Sequence, residues 1–468
     1  MFEKQIDKYK DEIISKVIRL VQIPSVHEDS VNYSKPFGEN ANRALEYMLG
    51  IGKELGFKTK NIDGYCGYIE FGEGKDLVGI IGHLDVVPVG SGWTYEPFEG
   101  TIHNGNIYGR GTIDDKGPVI ASLYAMKAIK DTCKVNKRVR LILGLNEERD
   151  WKCIKYYKEH EELPTIGFSP DADFPCIYAE KGVLSLYLQD DYSAYINEPL
   201  VIEKIDCKGN AINVVPKECS IIVRINNSSI SIDSLINNIN EVSSKNSFEI
   251  DLEKLDNNKL SITSYGISSH AAHPELGSNA ISKLLVLLYE VFKNYNTNIG
   301  ILHLFYKSLG LDYNGEKLGL YLDDESGKLT INVGKVSLEN NKFEIGLNIR
   351  VPVKSDISVV IDKFVEVSTP YPKITVETVN YIKPLYVPKD DYLVKTLCGI
   401  FNKMTGQNVN PIAIGGATYA RAFNNCISFG ANMPGNKDMC HQADEFINIE
   451  NLIMTSKIYA EAIYELSK

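Results

Sequence analysis

Histidine is scarce in this chain, with eight among 468 residues, and tryptophan is scarcer at two. Runs of lysine and arginine are absent and the formal net charge is -11, so no basic stripe can follow phosphates and nucleic acid is excluded as a partner. Long apolar stretches are missing too. The most apolar segment, "LLVLLYEVF", has nine residues and a glutamate inside, against the ~20 that a bilayer span needs. The opening "MFEKQIDKYKDEIISKVIRL" is charged throughout and predicts an amphipathic surface helix rather than a signal peptide. Nothing is therefore expected to cross or enter a membrane. The nine cysteines form no CxxC pair and no regular spacing, which predicts free thiols in a reducing compartment and a cytoplasmic protein.

What is present is the composition of a globular chain, 44% hydrophobic and 24% charged, long enough for two domains. From about residue 65 to 185, short apolar runs such as "LVGIIG" and "RVRLILGL" alternate with helical patterns such as "PVIASLYAMKAIK". That alternation predicts βαβ units and a mainly parallel sheet, whose ligands bind at the carboxyl ends of the strands. From about 186 the pattern shifts to alternating strands with Asn- and Ser-rich turns. Two segments there, "ECSIIVRINNSSISIDSLINNI" and "KFEIGLNIRVPVKSDISVVIDKF", echo each other as strand, polar turn and helix. After about 385 the first pattern returns. The expected fold is α/β: a mainly parallel-sheet catalytic domain formed by residues 1–185 and 385–468, with an inserted α+β lid domain over 186–384.

Five short segments put ionisable groups just after apolar runs. "GHLDVVP" ends a buried strand with His83, and Asp85 follows two residues later. The pair suits a metal ligand with a carboxylate orienting it, or equally a half-buried histidine with a satisfied hydrogen bond. "GRGTIDDKGP" sets Asp114 and Asp115 before a helix, as ligand and neighbour or as a cap. "LILGLNEERDW" ends a strand with Glu147 and Glu148, two carboxylates that repel unless a cation or proton intervenes. "TIGFSPDADFP" places Asp171 and Asp173 similarly, and "NMPGNKDMCHQADE" puts His441 on a loop before the last helix. Two histidines among several carboxylates match what zinc or manganese prefers.

Taken together, HxD, DD, EE, D and H in that order resemble the co-catalytic di-metal exopeptidase and deacylase family that includes aminoacylases, carboxypeptidase G, desuccinylases and carnosine-type dipeptidases. The stretches "GHLDVVPVGSGWTYEPFEG", "IYGRGTIDDKGP", "NEERDWKCIKYY" and "FSPDADFPCIYAEKG" look most like its PepV-like dipeptidases. The resemblance implies two divalent metal ions, zinc or manganese, with His83 and Asp171 on one, Glu148 and His441 on the other, and Asp114 bridging across a cis bond to Asp115. It leaves Glu147 as general base for hydrolysis by a hydroxide between the metals, and Asp85 as the group that orients His83. In "SYGISSHAAHP" it implies His270 as an oxyanion donor, with His273 the competing choice. Asn213 in "GNAINVVP" and Arg350 in "LNIRVP" match positions contacting the oxyanion and the substrate carboxylate. Gly416 and Thr418 in "IGGATYAR" match a loop facing that carboxylate, although Ala417 stands where relatives often have a third glycine. Cys440 beside His441 reads as a spectator thiol.

The expected function is a metallodipeptidase acting on small peptides with a free amino terminus, and the enlarged lid implies a monomer. The alternatives are an N-acyl amino acid deacylase or carboxypeptidase of the same family, and a non-catalytic metal-binding protein, against which Glu147 stands. A dinucleotide-binding oxidoreductase is discounted because "FGEGKDLVG" lacks a third glycine and precedes its strand.

Overall fold

A computed structural model describes residues 1–29, 34–207 and 211–468. The chain divides into two compact units. The first contains Met1–Ala179, Leu385–Ile412 and Ala417–Lys468, and the second Glu180–Pro384 with Ala413–Gly416.

The first unit is built on a sheet with a parallel centre. Strands Arg138–Gly144, Leu77–His83, Ile166–Ser169 and Cys426–Ser428 lie side by side in that order, all parallel. Antiparallel strands Cys66–Phe71 and Lys58–Ile62 extend one side. All seven residues of Leu77–His83 are buried, as expected of a parallel strand covered on both faces, and the run is correspondingly apolar without alternation. Helices Lys116–Thr132 and Ile449–Ser467 pack against each other over this sheet. The predicted amino-terminal helix forms as two, Glu3–Lys8 and Lys10–Val21, interrupted at Tyr9. Ile13, Val17 and Leu20 are its buried stripe.

The second unit has two four-stranded antiparallel sheets around one core that draws on both. The two echoing segments adopt the same order. Strand Glu218–Ile225 leads to helix Ile232–Asn246, capped by Ser231, and strand Lys342–Val351 leads to helix Ile357–Ser368, capped by Asp356. Each of these strands belongs to a different sheet.

One expectation is corrected here. Cys207 and Cys219 form a disulfide, whereas the sequence predicted free thiols throughout. The cause is strand pairing: Asp206 faces Ser220 across Leu200–Asp206 and Glu218–Ile225, which brings the next pair of residues, the two cysteines, to a Cα separation of 4.4 Å. Cys66, Cys133, Cys153, Cys176, Cys398, Cys426 and Cys440 are free. Among the described residues no helix is long and apolar enough to cross a membrane.

Candidate metal centre

Two neighbouring parallel strands stop at the same level and a third ends about two residues short of it. His83 is the last residue of its strand and pairs in register with Gly144, the last of the next. Glu147 and Glu148 follow Gly144, and Asp171 follows the strand ending at Ser169. The carboxyl edge of the sheet thus collects groups that are far apart in sequence.

His83 is 1% exposed. Its Nδ1 lies 2.9 Å from the backbone carbonyl of Asp85, which can only accept, so Nδ1 donates there and Nε2 is the nitrogen turned toward the carboxylates. Nε2 is 2.9 Å from Oδ1 of Asp114 and 3.5 Å from Oδ2 of Asp171. The other oxygen of Asp114, Oδ2, is 3.1 Å from Nε2 of His441, which is also 3.3 Å from Oε1 of Glu148. Two groups result, His83 with Asp114 and Asp171, and Asp114 with Glu148 and His441. Within each, the candidate ligand atoms all lie within 4.8 Å of one another. Asp114 is common to both and presents one oxygen to each.

The electrostatics reflect the crowding of charge. Burial pushes Glu148 up to about 7, with Asp114 adding to the rise and His441 opposing it. Burial also raises Glu147 well above the usual carboxylate range, and Asp171 rises for the same reason. Burial works against protonation of His441, yet its hydrogen bonds to Asp114 and Glu148 override this and raise it to about 11. Burial would likewise raise Asp114, but His441 and His83 hold it below the normal range. Protons on the imidazoles thus offset the crowded carboxylates, a task that divalent cations between nitrogen and oxygen donors would perform directly. The donor set of two imidazole nitrogens and three carboxylates, one of them shared, fits a pair of zinc or manganese ions.

Two carboxylates outside this set organise it. Asp85, 1% exposed, accepts hydrogen bonds from the backbone N–H of Glu147 at 3.0 Å on Oδ1 and of Glu148 at 3.1 Å on Oδ2. Its carboxylate lies 3.5 Å from Nδ1 of His83, so its closer work is to hold the turn carrying both glutamates. Glu445 is fully buried. Its Oε2 accepts from Nη1 of Arg110 at 2.7 Å, and its Oε1 from the backbone N–H of Ile113 at 3.0 Å and of Asp114 at 3.3 Å. The preceding Asp444 accepts from the N–H of Thr94 at 2.7 Å. The loop of His441 is thereby tied to the loop of Asp114. The sequence reading missed Glu445, and the only available signal was an acidic pair shortly after His441. The Asp114–Asp115 peptide bond is cis, and Oδ2 of Asp115 accepts from the N–H of His83 at 3.1 Å.

Thr418 also lies in the first unit. It is buried, 2.7 Å from the hydroxyl of Ser428, and accepts from the N–H of Ala420 at 3.2 Å. Tyr419 next to it packs its ring edge toward His83 and hydrogen bonds to Cys153. Cys440 is not part of either candidate ligand group, and burial raises its thiol.

The second unit holds the remaining candidates. His270 is exposed and its Nδ1 accepts from the N–H of Ala272 at 3.3 Å, which leaves the proton on Nε2 and makes that nitrogen a donor. His273 is tied to Glu275 at 3.1 Å. An antiparallel bridge between Val214 and His270, with the N–H of Ala271 donating to the carbonyl of Asn213 at 2.9 Å, puts Asn213 beside His270. Gly209 and Asn210, which open that segment, lie outside the described residues. Arg350, 4% exposed, donates from Nε to Asn348 at 2.9 Å and from Nη1 to the carbonyl of Gly415 at 2.7 Å, next to Gly416.

A mainly parallel sheet whose carboxyl edge gathers two histidine and carboxylate groups around a shared aspartate defines a candidate metallohydrolase of the α/β class. More particularly, the chain belongs to peptidase family M20/M25/M40, whose model matches residues 79–465. It is 38% identical over 471 residues to the "Putative dipeptidase YtjP" of Bacillus subtilis (strain 168), covering 100% of both chains. It is 34% identical over 475 residues to a "Putative dipeptidase" of Staphylococcus epidermidis (strain ATCC 12228 / FDA PCI 1200), covering 100% of this chain and 99% of the relative. Among solved structures, human carnosine dipeptidase 1 shares the fold with a TM-score of 0.60 at 15% identity, covering 100% of this chain and 98% of that one. Dug1p, a dipeptidase from Saccharomyces cerevisiae, does so with the same three values and a TM-score of 0.60.

Proposed function

We propose that the protein is a metallodipeptidase that hydrolyses dipeptides with a free amino terminus. The observation that carries this reading is Asp114, with one oxygen facing each candidate ligand group. The dipeptidase names of the full-length relatives from Bacillus and Staphylococcus support the substrate class.

On this reading His83 and Asp171 would hold one divalent cation and Glu148 and His441 the other, with Asp114 shared between the two groups. When bound, the pair supplies Lewis-acid polarisation of the scissile carbonyl and lowers the pKa of water near it. Glu147 takes a proton from the attacking water and returns it to the departing amine. Its backbone N–H is held by Asp85, so the base keeps its place beside Glu148 as the proton moves. His270 donates from Nε2 to the developing oxyanion, with Asn213 next to it as a second donor. Arg350 and the Gly416 end of its loop take the substrate's carboxylate, and Thr418 shapes the far side of that loop. Zinc and manganese both suit this donor set. The enlarged second unit supports action as a monomer, and the reading places the enzyme in the cytoplasm.

Metal-stripped protein reconstituted with zinc or manganese tests the reading against Ala-Leu, its N-acetyl form and Ala-Ala-Leu. Cleavage confined to the free dipeptide is expected. Preference for the acetylated compound would move the protein to the deacylases, and inertness toward all three with both metals would refute the peptidase reading.

A further inference from the structure

The candidate base Glu147 and the candidate ligand Glu148 share one peptide group, and both of its polar ends are held. The N–H of Glu148 donates to Oδ2 of Asp85 at 3.1 Å. The carbonyl of Glu147 accepts from the indole Nε1–H of Trp151 at 2.8 Å. A planar peptide can turn only as a unit, changing ψ of Glu147 and φ of Glu148 together, and that turn would carry the two side chains out of alignment. Asp85 alone would leave a pivot. The indole on the opposite side stops the rotation.

Trp151 reaches this contact through a strained backbone. Its φ is 59°, in the left-handed region that a bulky residue rarely adopts and that glycine would occupy without strain. Neighbouring groups hold it there. Asn146 is fully buried and takes the N–H of Trp151 on its backbone carbonyl and the N–H of Lys152 on Oδ1, both at 3.1 Å, which closes the turn ahead of helix Lys152–His160. The indole lies edge-on to the ring of Tyr419, with centroids 5.4 Å apart and planes at 79°. Tyr419 is itself fixed, its hydroxyl 2.7 Å from Sγ of Cys153 and its ring in space that a Cβ on Gly144 would invade to 2.4 Å. All of these residues belong to the first unit. Strain that the surroundings enforce in this way collects at positions whose conformation serves a function.

Resting on the dipeptidase reading, we infer that Trp151 is a positioning residue whose indole N–H locks the peptide plane between Glu147 and Glu148 and so sets the general base against the metal ligand. It takes no part in bond cleavage. A tryptophan seated only for packing could be exchanged for another ring of similar bulk, whereas this role requires a donor at the place of Nε1.

The test uses Trp151→Phe, which keeps a ring and removes the donor, and Trp151→His, whose Nε2 falls where the indole has Nε1. Each is made in the full-length wild type and in Glu147→Gln. On Ala-Leu with saturating zinc, Trp151→Phe should lower kcat about 10-fold and leave KM within about threefold, the pattern of a misplaced reacting group. In Glu147→Gln the same substitution should change kcat by less than about twofold, because the base it misplaces is already gone. Trp151→His should recover part of the loss. Two readouts need no turnover. Competition with a fluorescent zinc indicator should show affinity weakened about 10-fold in Trp151→Phe. The chain has two tryptophans, so the wild type gives two indole N–H resonances, and the one that survives in Trp93→Phe should shift when zinc binds. Equal losses of kcat in the two backgrounds, zinc affinity unchanged in Trp151→Phe, or an unmoved Trp151 resonance would overturn the assignment. Absence of all dipeptide cleavage by the wild type refutes the dipeptidase instead, and the affinity and the resonance then decide on Trp151 by themselves.

Discussion

Replacing Glu445 by alanine removes the one carboxylate that serves Arg110 and the backbone N–H groups of Ile113 and Asp114 together. Arg110 is 2% exposed and stacks over Trp93 with its guanidinium 5.1 Å from the ring. Its Nε already has no hydrogen-bond partner among the described residues, so the variant strands a buried cation. Breaking a buried pair in this way costs about 3–5 kcal/mol, or roughly 6–20 °C in melting temperature for a unit of this size. The pair itself need not be stabilising, because burial raises the Glu445 carboxyl, Asp114 adds to the rise, and Arg110 offsets it only partly. A double variant, Arg110→Met with Glu445→Met, should therefore return to within about 1–2 kcal/mol of wild type, since apolar replacement of a buried pair is often neutral. It should still bind metal more weakly by about 10- to 100-fold, because the Asp114 loop has lost its tether. Urea unfolding in the presence of chelator gives the stabilities, and competition with a fluorescent zinc indicator gives the affinities. A loss below about 1 kcal/mol in Glu445→Ala, or full metal affinity in the double variant, would refute the reasoning.

Glu147→Gln keeps the shape of the turn but removes the base, and should lower kcat by about 10²- to 10⁴-fold while metal binding is unchanged; a kcat within tenfold of wild type would exclude Glu147 as the proton carrier. Zinc or manganese at a hundredfold excess over its dissociation constant should stabilise the wild type by about 2.7 kcal/mol in a thermal shift assay and should lose most of that effect in Asp114→Asn, whose side chain is common to both groups. Thiol titration in denaturant should count seven reactive cysteines before reduction and nine after, if Cys207 and Cys219 are paired as in the structure. Burial lowers the pKa of Lys181 in the second unit, so the unfolded chain binds the extra proton and stability rises with pH across the interval between the folded and the unfolded values. The advantage of Lys181→Met over wild type should be full below that interval and shrink as the pH is raised toward about 10, and an advantage that grows with pH would contradict it.

The parallel sheet was legible because its strands are buried on both faces and read as unbroken apolar runs, with each ionisable residue placed just past a run. His83, Glu148, Asp171 and the Asp114 pair could be picked out one segment at a time for that reason. The tethers that aim them could not. Asp85 reaches Glu147 and Glu148 across more than sixty residues, and Arg110 meets Glu445 across 335, separations at which no periodicity survives. The Cys207–Cys219 disulfide was hidden for a related reason, since it follows from the register of two strands and not from the spacing of two cysteines. The break at Tyr9 had no glycine or proline to announce it.

The placement of His441, Glu445 and helix Ile449–Ser467 after the inserted unit has a consequence for biosynthesis. The ribosome has made His83, Asp114, Glu148 and Asp171 well before it emits the more than two hundred residues from Glu180 to Pro384, and it reaches strand Cys426–Ser428, the histidine and its tether only afterwards. Until then the nascent sheet lacks an interior strand, and helix Lys116–Thr132 lacks the partner that covers it. A growing chain would therefore carry all three carboxylates but only one of the two imidazoles of a metal centre that it cannot close. The site is completed only once His441 has emerged, and a chain cut short before that residue would expose an acidic, half-formed cluster instead of a weakened enzyme.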